Sequence, residues 1–439
     1  MEKIFSHPYI PNANILNEML KEVEINSIDE LFSDIERREF EILLNDEPMD
    51  ELSVYREVKS MLSKNKIMKC FMGGGPWFHF VPSIIKHIIT RGEFLTSYTP
   101  YQPEISQGVL QALFEFQSMI CELYNMDVAN ASLYDLPTAI GEAALLAYRV
   151  TGRSEFLIPS SIPNDRKSII RNYIEPIGMK IIEMPFLEDG CPNLELINNR
   201  AAGVYVETPT FFGTVETRLK EIVEIAHDMG ALAIVGADPL AMGIFKPPGD
   251  YGVDIVVGDG QPLGIPPAMG GNSLGLMACK NDLKIIRQMP GRIVGLTITK
   301  DRRNRGFVLA LSTREQHIRR EKATSNICTN EALLAIAAAI YMAVMGREGI
   351  RRVAKKILHN TQYAIKRLEE MGVERAFKGI HFRDFAVKID VKKVNMALEK
   401  RGIIGAREIS RNIGLFAVTE VHTKEDIDEF VEIVGGALK

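Results

Sequence analysis

Between residues 155 and 279 the chain repeats one pattern: short, nearly continuous apolar runs separated by longer stretches with helical spacing. The runs fall at 155–159, 179–185, 203–207, 231–235, 254–258 and 274–279. Their length and β-branched content, alternating with helical segments, predict a mainly parallel α/β sheet covered on both faces. Ligands of such sheets sit at the carboxyl ends of strands, so the loops after Glu207, Val235 and Gly258 are the candidate site positions.

The flanks read differently. Residues up to about 65 are charged and helical in spacing, with Ile15, Leu16, Met19 and Leu20 forming a patterned run after Pro8 and Pro11. Ser27 and Glu30 fit a capping box that starts a further helix. After residue 327, an apolar helical run at 333–345 and a basic amphipathic one at 351–368 bridge to a small β-α-β-α close. In that close, 382–389 and 415–419 alternate like strands, 391–401 and 424–435 read as helices, and Thr423 with Asp426 predicts a second capping box. The expected organisation is a helical arm (1–65), a large α/β domain (66–326), and bridging helices with a small C-terminal domain (327–439).

Composition narrows the function classes. In 439 residues, 46% are hydrophobic, 25% are charged, and the net charge is -5, which gives no reason to expect nucleic acid as partner. Cys70, Cys121, Cys191, Cys279 and Cys328 are odd in number and scattered, with neither CxxC nor metal-ligand spacing, and predict reduced thiols and no metal site. The start lacks a basic stretch leading into an apolar one, and no apolar run reads as long enough to span a membrane. A cytoplasmic protein without membrane contact is expected.

The densest candidate chemistry is Tyr98-Thr-Pro-Tyr-Gln-Pro-Glu-Ile-Ser-Gln107. Pro100 and Pro103 fix φ and remove donors, so the segment should be a stiff, non-helical loop presenting Tyr98, Tyr101, Gln102 and Glu104. Gly73-Gly-Gly-Pro76 lacks the features of a P-loop or a dinucleotide fingerprint and reads as a tight turn beside Trp77 and His79. The glycine-rich stretch from Gly258 to Gly271 follows a strand and offers only Asp259 and Gln261 as polar candidates. Residues 314–326 mix basic residues with two glutamates at helical spacing, and read as a solvated ion-pair face or a docking surface. No order of Ser, His and Asp suggests a nucleophile.

Several segments resemble the glycine dehydrogenase (decarboxylating) family, the P-protein of the glycine cleavage system, and within it subunit 1 of the two-subunit form. They are YTPYQPEISQG (98–108), FEFQSMICELY (114–124), DVANASLYD (127–135), DIVVGDGQPLGIP (254–266), PGRIVG (290–295) and TREQHIRREKATSNICTN (313–330). The resemblance implies the type I pyridoxal-phosphate-dependent transferase fold, a large mainly parallel sheet domain plus a small C-terminal α+β domain.

For the complete enzyme it implies decarboxylation of glycine on pyridoxal phosphate and transfer of the aminomethyl group to the lipoyl arm of H-protein. That chemistry requires a Schiff-base lysine and an acid against the pyridinium nitrogen. In the family's sister subunit a His-Lys pair precedes Ile-Pro and a glycine run; here Gln261 stands in the lysine's place, and Val235 stands where the acid is expected, with Asp238 three residues on. The implied role is that of the non-lysine subunit, inactive alone, whose partner, subunit 2, holds pyridoxal phosphate covalently in an α2β2 assembly. Tyr98, Tyr101, Gln102 and Glu104 then become a loop that completes the partner's site, with Asn130, Ser132, Tyr134 and Thr138 as further candidates. Tyr134-Asp-Leu-Pro-Thr-Ala139 departs from the family's Tyr-Asp-Gly pattern, which puts phosphate binding there in doubt. A silent scaffold subunit is the alternative, and a self-sufficient enzyme using Lys246 or Lys280 ranks last.

Overall fold

The structure, a computed structural model, describes residues 15–35, 48–97, 99–268, 270, 273–327 and 331–438. Contacts divide the chain into two compact units, Met1–Lys66 and Ile67–Lys439. In the first, helices Leu16–Glu22 and Glu51–Leu62 flank a 3-10 turn at Ile28–Phe32, and no residue of the three is buried. Ser27 does not cap with its side chain; instead the Glu30 carboxylate accepts from the Asn26 amide at 3.2 Å, so the expected capping box is not formed.

The second unit is built on a seven-stranded sheet. Its strands are β1 (Val128–Ala129), β2 (Glu155–Pro159), β3 (Lys180–Met184), β4 (Ala201–Thr208), β5 (Leu232–Ala237), β6 (Ile255–Asp259) and β7 (Gly275–Cys279), in the order β1-β7-β6-β5-β4-β2-β3. Strands β2 to β6 run parallel, while β7 is antiparallel to both β6 and β1. Helices α1 (Gln107–Tyr124), α2 (Leu136–Thr151), α3 (Asn164–Ile174) and α4 (Leu219–Asp228) cover it. Alternate strand residues feed two cores. Val204, Val206 and Val235 pack with α1 and α4, whereas Tyr205, Ile234 and Val257 pack with α2 and α3. Burial on both faces is why these strands read as unbroken apolar runs.

A hairpin absent from the sequence reading follows: β8 (Ile293–Ile298) pairs antiparallel with β9 (Arg305–Ala310). Next comes α5 (Ala332–Glu370), interrupted at Gly346, whose φ of 57° and ψ of 179° lie outside helical space. By length and composition α5 could cross a membrane, against expectation. Its apolarity has a soluble cause: Ala335, Ile336, Ala338 and Tyr341 are buried in the core shared with α1. The chain closes with β10 (Asp384–Lys388), α6 (Val391–Glu399), β11 (Arg407–Ser410), β12 (Ile413–Ala417) and α7 (Lys424–Leu438), the strands ordered β10-β12-β11. Thr423 and Asp426 form the expected box, with reciprocal amide-to-side-chain bonds of 2.9 and 3.1 Å.

Candidate functional site

The carboxyl ends of β4, β5 and β6 open on a cleft of only about 60 Å³. Gln261, in the turn after β6, is buried and clasped by backbone. Its Nε2 donates to the carbonyls of Trp77 (3.0 Å) and Ile265 (2.7 Å), and its Oε1 accepts from the Trp77 amide at 3.3 Å. An amide, with donors and an acceptor on one planar group, suits that clasp; an ammonium has no acceptor to offer. Trp77 is held in turn by its Nε1 bond to Asp384 (3.0 Å) and by the Arg383 guanidinium, 3.3 Å from its ring centre.

The remaining charges of the cleft bind one another. Arg383 reaches Asp238 at 2.5 Å and Asp384 at 3.3 Å, and Asp384 also accepts from the Gly74 amide at 2.8 Å. Tyr205 donates to Glu207 at 2.9 Å, with Arg166 at 3.4 Å from the same oxygen. Asp259 accepts from the Gln261 backbone N–H (2.9 Å) and the Ser273 hydroxyl (2.6 Å). Burial raises the carboxyls of Glu207, Asp259 and Asp384, against the neighbouring arginines that lower them.

Pyridoxal phosphate does not fit this cleft. Gln261 cannot form a Schiff base. Val235 packs into the core shared with α1 and α4, and its neighbour Gly236 lines the cleft. A Cβ on Gly236 would collide with the Tyr205 hydroxyl, which leaves no room for an acid against a pyridinium. The start of α2 is likewise closed to phosphate. Asp135 caps it, accepting from the Thr138 amide at 2.8 Å, and Pro137 supplies no donor. Lys246 lies over the Tyr251 ring at 4.6 Å and Lys280 pairs with Asp254, so neither stands in for the missing lysine.

The Pro-rich loop that ends at Gln107 lies elsewhere, beside the hairpin. Tyr98 is outside the described residues. From Thr99 to Ser106 the chain is non-helical, with Tyr101, Gln102 and Glu104 exposed. Gln107 fastens the loop: Nε2 donates to the carbonyls of Pro103 (2.6 Å) and Phe307 (2.9 Å), and Oε1 accepts from the Phe307 amide at 2.8 Å. The Arg292 guanidinium lies 5.0 Å from the Tyr101 ring centre, and its Nε is 3.6 Å from Glu315.

Arg292 also joins the loop to the second group of candidates. Its carbonyl accepts from the Ala131 amide at 2.7 Å, between Asn130, which donates to Pro290 at 3.1 Å, and Ser132, at φ 141°. Arg292 is 2% exposed, and among the described residues its Nε and Nη1, the Asn130 Oδ1 and the Ser132 Oγ lack hydrogen-bond partners. Four of the recognised segments thus meet here: those of Tyr101, Asn130, Arg292 and Glu315. Thr138 does not join them, since its amide bonds to Asp135 and its hydroxyl to Tyr173. Tyr134 stands at the approach to α2, half-exposed.

Sequence reasoning missed Arg292, although it sits inside PGRIVG; a lone arginine among strand-like residues gives no sign of being buried. The stretch from Arg314 departs from a solvated helical face. Positive φ at Leu311 and Arg320 breaks it into single turns, and Arg314 is buried, donating to the carbonyls of Leu311, Met289 and Gly291.

The sheet order and the position of the cleft define a class: this is the type I pyridoxal-phosphate-dependent transferase fold, with the cleft closed to the cofactor. The chain belongs to the glycine cleavage system P-protein family, whose pattern matches residues 8–434. A Thermococcus kodakarensis protein called "Probable glycine dehydrogenase (decarboxylating) subunit 1" is 46% identical over 98% of this chain and 99% of its own. A Staphylothermus marinus protein of the same description is also 46% identical, over 97% of each. Among solved structures, an inhibitor-bound glycine decarboxylase (P-protein) of the glycine cleavage system superposes with a TM-score of 0.88 at 40% identity, covering 98% of this chain and 99% of that one.

Proposed function

We propose that this chain is the non-lysine subunit of a heteromeric glycine dehydrogenase. With a lysine-bearing partner subunit in an α2β2 assembly, it decarboxylates glycine and passes the aminomethyl group to the lipoyl arm of H-protein in the cytoplasm. The partner holds pyridoxal phosphate, which supplies the electron sink for loss of carbon dioxide. This chain contributes side chains across the subunit contact, a common arrangement in symmetric oligomers.

The observation that carries this reading is the contrast between the two candidate sites. The chain's own cleft is closed by Gln261, Trp77 and Tyr205 bonding inward, whereas Tyr101, Gln102 and Glu104 stand exposed on a loop fastened to a rigid hairpin. Apolar side chains beside them are also exposed: Ile105, Leu296, Ile298 and Val308. A polar loop rimmed by bare aliphatics suits a surface that another subunit covers. In the assembled enzyme, Tyr101 positions substrate by its hydroxyl, and Glu104 and Gln102 offer hydrogen bonds to the glycine amine or to the partner's cofactor.

The test is kinetic. Tyr101→Phe or Glu104→Gln, assembled with the lysine-bearing subunit, should lower glycine decarboxylation by about tenfold or more while the complex stays intact. Unchanged rates after alanine replacement of Tyr101, Gln102 and Glu104 together, in an intact complex, would instead make the chain a silent scaffold.

A further inference from the structure

The basic stretch after Leu311 remains unused by that function, and it lines a sizeable recess. A cavity of about 630 Å³ is bordered by Arg149, Arg287, Arg314, Arg319 and Lys322. A neighbouring one of about 270 Å³ shares Arg149 and Arg287 and adds Lys284. No carboxylate among the described residues lines either. Six cations along one groove are not a consequence of composition, because the chain as a whole carries a net charge of -5.

The two inner cations are fixed and lack carboxylate partners in the recess. Arg149 donates through Nε and Nη2 to the Gln288 side chain (2.8 Å) and carbonyl (3.1 Å). Arg314 donates to the carbonyls of Leu311 (3.1 Å), Gly291 (2.9 Å) and Met289. Neutral acceptors orient a guanidinium without cancelling its charge, so both project a positive field into the recess. The acids that act on these two cations have partners of their own. Glu142, close to Arg149, is bound to Ser325 at 2.5 Å, and Glu315, close to Arg314, faces Arg292. At the rim Arg287, Arg319 and Lys322 are exposed, and with Lys284 they form no ion pair among the described residues.

We propose that this groove is a binding site for a small molecule bearing a polyphosphate chain. Convergent guanidinium forks match phosphate oxygens, and the Thr313 and Thr324 hydroxyls on the same wall are additional donors. The volume is that of a small-molecule pocket, and a recess of this depth suits a compact ligand better than the convex acidic face of a protein. Val150, Leu283 and Leu311 give the groove an apolar side against which a nucleoside would pack.

Calorimetric titration of the full chain with pyrophosphate, ADP, orthophosphate and a poly-glutamate peptide, at fixed ionic strength, tests this. Pyrophosphate should bind once per chain at least tenfold more tightly than orthophosphate, and Arg319→Glu with Lys322→Glu should weaken it by about tenfold or more. Both positions are exposed, and circular dichroism of the variant checks its fold. ADP tighter than pyrophosphate assigns the source as a nucleotide; the reverse assigns a free polyphosphate. No pyrophosphate or ADP binding, binding unaffected by the double substitution, or binding of poly-glutamate alone would overturn the proposal. None of these results depends on glycine decarboxylation, so the site and the proposed function stand or fall separately.

Discussion

Gln261 shows how much a single position decides. It is an amide, which cannot form a Schiff base, and its identity is plain in the sequence. That the amide is bonded on both sides to Trp77 is not, because 184 residues separate the two. The side to which Val235 points was not legible either, since it packs into the core while Gly236 lines the cleft. Consecutive strand residues face opposite sides, so the two belong to different layers. Glu142 is a second buried group with a measurable consequence. It is fully buried on α2, and burial pushes its carboxyl up to about 7, against 4.5 in the open chain. A raised folded pKa means that the protonated form is favoured in the fold. Its contribution is therefore present below pH 4.5 and lost as pH rises through about 7. The difference is worth roughly 3 kcal/mol. Glu142→Gln should raise stability relative to the parent at pH 8, and the advantage should shrink towards zero below pH 4.5 in chemical denaturation. A variant less stable than the parent at pH 8 would show that Glu142 is ionised and paired.

Among elements, those with a strong period were readable and those defined by contact were not. The strands β2 to β7 and the capping box of α7 follow from local pattern, since burial on both faces and a two-residue side-chain exchange leave direct marks on sequence. The β8–β9 hairpin left none. Its six-residue connection has no two-residue turn signal, and exposed Leu296, Ile298 and Val308 blur the alternation. The same exposure gives the element its meaning: this hairpin carries the 99–106 loop through Gln107 and offers bare aliphatics beside it. Ile298, 63% exposed, is the clearest probe. Ile298→Asp should leave the isolated chain folded and weaken assembly with the lysine-bearing subunit by about tenfold or more in sedimentation analysis. Assembly at parental affinity would remove the hairpin from the subunit contact.

At the scale of the whole molecule, the fold is that of a cofactor enzyme and the cofactor cleft is closed. The fold was legible, because the family segments cover the sheet. What the sequence could not convey is that four of those segments converge on Arg292 and Tyr101, away from the cleft, since their spacing along the chain runs from 101 to 315. Convergence at a second place is what a subunit that lends side chains should show. The most direct test is an absorbance titration of the purified chain with pyridoxal phosphate and then glycine, repeated with the lysine-bearing subunit present, followed by borohydride reduction and mapping of the modified lysine. The account predicts no cofactor band for this chain alone, and a glycine-responsive band in the mixture that reduction traps on the partner. A cofactor trapped on a lysine of this chain would contradict it.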